Sequence, residues 1–413
     1  MIVNQQRLLQ RFLQYVAIDT TAREDSEDCP SSLGQLEMGK LLVSQLQEMG
    51  ISDASQDEYG IVMGTVPGNR DAPVVAFNSH VDTSPETSGK NVQPQVTENF
   101  DGHDITLPGD PSKVITSAQC PALASAKGKT IITTDGTTLL GGDDKAGVAI
   151  IMELANLLME NPEFPRGPVR VLFTCDEEIG RGTDHIDIEK VNATVCYNFD
   201  GGGENVVDNE TFSADMAVVT IHGINIHPAM AKDRMVNAIR IAGRFLDQLP
   251  AELSPERSEG REGFLHPYTI EGGVDSVVIK ILLRDFETPK LQDYAELLQQ
   301  KAAAIKAEFP GSEIAIEIRK QYRNMGDGLV NETRAIEFAV VAHERLGRSC
   351  QLEAIRGGTD GSRLTEMGLP TPNLSSGQHN LHSPLEWACL DEMVAACEIG
   401  AEIVRRWSEE PAV

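Results

Sequence analysis

The sequence predicts an α/β domain, built on a mostly parallel mixed sheet covered by helices and interrupted by a smaller α+β sandwich. Three observations lead there. From residue 1 to about 210, helical periodicity alternates with short, continuous apolar strands, the pattern of a parallel sheet buried on both faces. From about 212 to 321, strands that alternate apolar and polar residues follow the order strand–helix–strand–strand–helix–strand. After Tyr322 the first style resumes. The expected domains are therefore 1–211 and 322–413, one domain in two pieces, with 212–321 inserted between them.

The elements follow in order. Leu8, Leu9, Phe12, Leu13 and Val16 share one face of an N-terminal helix. A second helix is expected over 33–49, with Leu41, Leu42, Leu46 and Met49 together, and strands follow over 60–66 and 73–79. Residues 84–129 have little periodicity and read as loops. A helix over 145–160 and strands over 169–174 and 194–199 complete the first piece. The insertion holds strands at 217–221, 274–284 and 313–319, with helices at 237–249 and 289–308. Helices at 332–346 and 390–407 close the chain.

With 413 residues and 40% hydrophobic content, the chain can bury a large core. Its 35 Lys and Arg stand against 63 Asp and Glu, a net charge of -28. That balance repels phosphate backbones and anionic lipid, so neither nucleic acid nor a membrane surface is an expected partner. Seven cysteines (Cys29, Cys120, Cys175, Cys196, Cys350, Cys389 and Cys397) include no CxxC pair and are odd in number, which suits a reducing compartment. No basic leader and no run of membrane-spanning length is present, and the cytoplasm is the expected location.

The chemistry lies in five short runs: NSHVDT, LLGGDDKAG, FTCDEEIG, NFDGGG and NLHSPLEW. Together they offer His80, Asp82, Asp143, Asp144, Glu177, Glu178, Asp200 and His382, two imidazoles and several carboxylates suited to a pair of borderline divalent cations. His80 and Asp82 lie two apart at the end of an apolar strand, so both point to one face at the edge where open α/β sheets bind ligands. Asp82 can then accept the second ring proton of His80 and fix its tautomer. Asp143 and Asp144 open a helix, where one aspartate suffices as a cap and the other is free for metal. Asp176, Glu177 and Glu178 follow a buried strand, and near two cations one glutamate can ligate while its neighbour takes a proton from water. His379, three residues before His382, stands as an alternative ligand. No HExxH or GxSxG occurs, and GKT at 128–130 lacks the earlier glycine of a phosphate loop.

The runs NSHVDTSPETSGKNVQPQV, TIITTDGTTLLGGDDKAG, TCDEEIGRG and IRGGTDGSRL, the His227-Pro228 pair and RDF at 284–286 carry a resemblance over nearly the whole chain. It resembles the peptidase T family, tripeptide aminopeptidases among the co-catalytic zinc exopeptidases related to aminoacylase and glutamate carboxypeptidase. The resemblance implies a zinc-exopeptidase catalytic domain with an inserted lid and dimerisation domain. It implies two Zn2+ per subunit, with Co2+ or Mn2+ as substitutes. His80, Asp143 and Asp200 would hold one ion, and Asp143, Glu178 and His382 the other. Asp82 would orient His80, Glu177 would be the general base, and His227 would support the oxyanion. Arg284, Asn324 and Arg356 would hold the peptide. The run GQHNLHSPLEW departs from the family's glycine- and aromatic-rich version, though Glu386 still lies four residues after His382.

The function so implied is removal of the N-terminal residue from tripeptides, by attack of a water between the two metals, in a cytoplasmic homodimer. A dipeptidase or an N-acyl amino-acid amidase could use the same metal ligands. A non-catalytic metal- or peptide-binding relative would be expected to lack a ligand or the base, and the sequence lacks neither.

Overall fold

A computed structural model describes residues 1–412. The chain divides into two compact units. One is Met1–Asn209 with Gly328–Ala354 and Thr359–Val413, and the other is Glu210–Asp327 with Ile355–Gly358.

The first unit is organised by one large mixed sheet. Its centre is parallel: Val169–Thr174, Val75–His80, Val195–Gly202 and Asn373–His379 lie side by side in that order. The shorter flanking strands, such as Val62–Val66 and Trp387–Cys389, pair antiparallel. Parallel pairing thus holds among the four central strands, while Trp387–Cys389 and Ile131–Thr133, equally buried, pair antiparallel. On one face Phe77 stacks on Phe199 and lies beside Tyr197, against the helices Gly142–Glu160 and Leu390–Trp407. On the other, Ala76, Leu172 and Cys196 pack with Ile186, Val191, Leu364 and Leu369. All four parallel strands end on the same edge, which gathers His80, the Asp176–Glu178 turn, Asp200 and the loop after His379.

Helix Gly142–Glu160 is buried almost throughout and carries Glu153 fully into the interior. Its carboxylate accepts hydrogen bonds from Arg7 Nε (2.7 Å) and Arg11 Nη1 (2.9 Å), tying the N-terminal helix Gln5–Val16 to the core. Truncation would strand two arginines in a partly buried site. Glu153→Ala is expected to cost about 3–5 kcal/mol, read as a lower urea midpoint at unchanged slope.

The second unit is a four-stranded antiparallel sheet in the order Phe264–Gly272, Ser276–Asp285, Ser213–His222, Glu313–Tyr322. Helices Ala238–Asp247 and Lys290–Glu308 cover one face through Ile241, Phe245, Leu298 and Ile305, which pack on Val219, Ile279 and Ile281. Among the described residues no helix is long and apolar enough to cross a membrane. All seven cysteines are free thiols.

Candidate metal centre

Asp143 is the hub of the site. Its Oδ1 lies 3.1 Å from His80 Nε2, and its Oδ2 lies 3.2 Å from His382 Nε2. Each histidine reaches a second carboxylate, His80 to Asp200 (3.6 Å) and His382 to Glu178 (3.0 Å). Two groups of potential ligands result, His80–Asp143–Asp200 and Asp143–Glu178–His382, each with its ligand atoms within 4.8 Å of one another.

The local sequence explains why Asp143 is free for this role. Gly141 takes a left-handed φ of 79°, and a Cβ at Gly142 would crowd Glu386 Oε1 at 3.0 Å. The turn so formed wraps the Glu386 carboxylate, which accepts from Leu140 N, Gly141 N and Asp143 N at 2.7–3.0 Å. A glutamate distant in sequence thus holds the turn ahead of the helix, and Asp143 is not needed as its cap. Asp144 turns inward, where its carboxylate accepts from Ser79 Oγ and Gly147 N.

Asp82 does more than its spacing suggests. The His80 Nδ1 donor is shared between the Asp82 backbone oxygen (3.1 Å) and its carboxylate (3.4 Å). Both carboxylate oxygens also accept backbone N–H groups, from Glu177 and Glu178, each at 3.1 Å. One buried aspartate thus aligns a histidine and the acidic turn together. Asp176 anchors the other side of that turn, buried and accepting from Ser31 N (2.7 Å), Ser31 Oγ and Gln35 Nε2 (2.6 Å). Of the three consecutive acids only Glu177 and Glu178 are left for chemistry, and no described residue hydrogen-bonds the Glu177 carboxylate.

The electrostatics would suit a bound cation. Burial and the neighbouring Asp143 raise the Glu178 carboxyl to about 7. Burial, joined by the charges of Asp200, Asp360 and Glu178, pushes Glu177 well above the usual carboxylate range. Hydrogen bonds to Asp143 and Glu178 raise His382 to about 11. Burial opposes ionisation of Asp143 as well, but its bonds to His382 and His80 hold it below the ordinary value. Carboxylates that repel one another and imidazoles that hold protons mark a place where a divalent cation relieves the repulsion. Glu178 Oε1 adds to the fit, since it is buried without a hydrogen-bond partner. The donor set, imidazole nitrogen and carboxylate oxygen, suits zinc, cobalt or manganese.

The other expected residues fall elsewhere. His379 donates no ligand atom to either group. It bonds Glu392 at 2.7 Å, stacks on Trp387 at 3.8 Å, and shares Glu392 with Lys129. His227, Arg284, Asn324 and Arg356 belong to the second unit. His227 is exposed, and its Nδ1 accepts from Ala229 N (3.3 Å), which leaves the ring proton on Nε2 in the neutral form. Arg284 lies over the Tyr322 ring, with one terminal nitrogen on the backbone oxygens of Asp215 and Leu283. Asn324 is buried, accepting from Thr211 N and Gly326 N and donating to Phe286 O. Arg356 donates to Gly260 O, Glu262 O and Ser258. Sequence reasoning did not single out Glu86 and Thr87, which touch His382: Glu86 Oε2 lies 3.3 Å from its Nδ1, and Thr87 Oγ1 donates to its backbone oxygen at 2.7 Å.

Comparison with known proteins shows the family. The profile of Peptidase family M20/M25/M40 matches residues 135–406. The chain is 43% identical to peptidase T of Bacillus mycoides (strain KBAB4) and 41% identical to that of Geobacillus kaustophilus, in each case over 98% of this chain and 99% of the relative. Among solved structures it is similar to aminopeptidase PepT from Bacillus cereus, with a TM-score of 0.75, 23% identity and 99% and 100% of the two chains covered. A Bacillus subtilis protein described as a dinuclear metal-binding peptidase of the M20 family shares the fold at a TM-score of 0.65 and 16% identity, with 98% of each chain covered. With the family profile matched over most of its length and its relatives matched end to end, the chain belongs to peptidase family M20/M25/M40, among the hydrolases of its peptidase T group.

Proposed function

We propose that the protein is a dinuclear aminopeptidase that removes the N-terminal residue from tripeptides. The observation that carries the reading is Asp143, shared between two histidine–carboxylate groups beside Glu177. The tripeptide assignment draws on the peptidase T relatives and on a Staphylococcus aureus tripeptidase of the same fold, with a TM-score of 0.79 and 22% identity over 99% of this chain and 100% of that one.

His80, Asp143 and Asp200 would hold one cation and Asp143, Glu178 and His382 the other, with zinc the expected metal. When bound, the pair supplies Lewis acidity toward the scissile carbonyl and lowers the pKa of the attacking water. Glu177, held in place through its own backbone by Asp82, takes the water's proton and returns it to the leaving amine. His227 donates from Nε2 to the oxygen of the tetrahedral intermediate. Asp82 keeps the His80 lone pair turned toward the cation.

In this reading residues 212–321 form a lid and dimerisation domain, and the protein works as a cytoplasmic homodimer. Arg284, Asn324 and Arg356 are the residues assigned to the peptide. All three are engaged on backbone groups within the second unit, and an arginine suits bidentate capture of a terminal carboxylate.

The test is product analysis by mass spectrometry with zinc-loaded protein and free tripeptides, dipeptides, N-acetylated tripeptides and N-acyl amino acids. Release of only the first residue from free tripeptides is expected. Cleavage of dipeptides or acyl amino acids in preference would overturn the substrate assignment. No turnover with two metal equivalents bound would leave a non-catalytic binding protein.

A further inference from the structure

We propose that Glu86 is the anion that receives the substrate's α-ammonium group, an inference that rests on the aminopeptidase reading. An aminopeptidase must recognise a free amine, and a cation at the edge of a metal centre requires a fixed counter-charge. The carboxylates around the centre are nearly all occupied. Asp82 accepts two backbone N–H groups, Asp144 accepts from Ser79 and Gly147, and Asp176 accepts from Ser31 and Gln35. Glu386 and Glu392 are engaged on a helix start and on His379 with Lys129.

Glu86 differs in both respects that matter. Its side chain is 70% exposed, and only Oε2 is engaged, 3.3 Å from Nδ1 of His382. Its backbone is held, however: Glu86 N donates to Ser84 Oγ, Leu139 N donates to Ser88 O, and Thr87 Oγ1 clasps the His382 carbonyl. The turn therefore presents one solvent-facing carboxylate oxygen beside the ring that carries an expected metal ligand. A peptide whose first carbonyl reaches the metal centre has its α-amine two bonds away from that carbonyl carbon, and Glu86 touches the ring of a residue assigned to that centre. Contact with His382 holds Glu86 in position while Oε1 is open to the ammonium.

Glu86→Gln separates recognition from positioning, because the amide oxygen can still accept from His382 while the charge is lost. The metal-loaded wild type and variant would be compared on one tripeptide and on its desamino analogue, with metal content measured in both. The preference for the free tripeptide over the analogue is expected to fall roughly tenfold or more, mainly through KM, with metal content unchanged. An equal loss on both compounds would show that Glu86 acts only through His382, and an unchanged preference would remove it from recognition. Should the wild type cut no tripeptide at all, the parent reading fails. Calorimetric binding of the same two compounds then decides Glu86 by itself, an unchanged affinity ratio overturning the proposal.

Discussion

Replacement of Glu177 by glutamine is expected to lower kcat by roughly 10²- to 10⁴-fold while both metal equivalents stay bound. The change removes a proton acceptor and little else. The side chain accepts no hydrogen bond from any described residue, and the backbone N–H by which Asp82 holds the segment is unaltered. Glutamine matches the shape of the acid and cannot take a proton from water, so the effect belongs in the chemical step and KM should change little. Steady-state kinetics with metal analysis of the same preparation gives the answer. Near-normal turnover in a fully loaded variant would remove Glu177 from its role.

Asp143→Ala carries the other large effect, of a different kind. Because one oxygen of Asp143 faces each histidine, its loss is expected to empty both sites, while His382→Ala should empty only one. Turnover of the Asp143 variant should fall at least as far as that of the Glu177 variant, here through absent cofactor. Metal equivalents retained after gel filtration distinguish the cases: about none for Asp143→Ala and about one for His382→Ala. Two retained equivalents in Asp143→Ala would overturn the bridging assignment.

Much of this was legible in the sequence because strands and acids announce themselves locally. The runs ending at His80, Thr174 and Phe199 are apolar and continuous, and each is followed or closed by a polar residue that a strand end leaves exposed to the site. The strand–helix–strand–strand–helix–strand order of the second unit was readable for a similar reason, since Ser276–Asp285 alternates strictly between half-buried and buried residues. Its neighbour Phe264–Gly272 was counted in that order but given no range. It contains Pro267, its register shifts between Pro267 and Thr269, and most of its residues are at least partly exposed, so no period-two signal survives.

What spacing cannot convey is which atom a side chain serves. Asp82 read as a partner of His80, yet its carboxylate also fixes the turn almost a hundred residues later (separations of 95 and 96). Asp144 and Asp176 are identical in type to Asp143, and only the packed neighbours Ser79, Ser31 and Gln35 show that they face inward. His379 was ambiguous beside His382 until Trp387 and Glu392 accounted for both its ring face and its nitrogen.

The wide separation of the hub from its second histidine has a consequence for synthesis. Asp143 and His382 are 239 residues apart, and the second unit is translated between them. A ribosome-bound chain that ends before residue 382 contains His80, Asp143 and Asp200 but lacks one member of the other group. Domains generally form as units while the chain emerges, and contacts this remote in sequence form late. The second candidate group therefore stays incomplete until nearly all of the polypeptide has been made, and a truncated translation product would reach the cell without it.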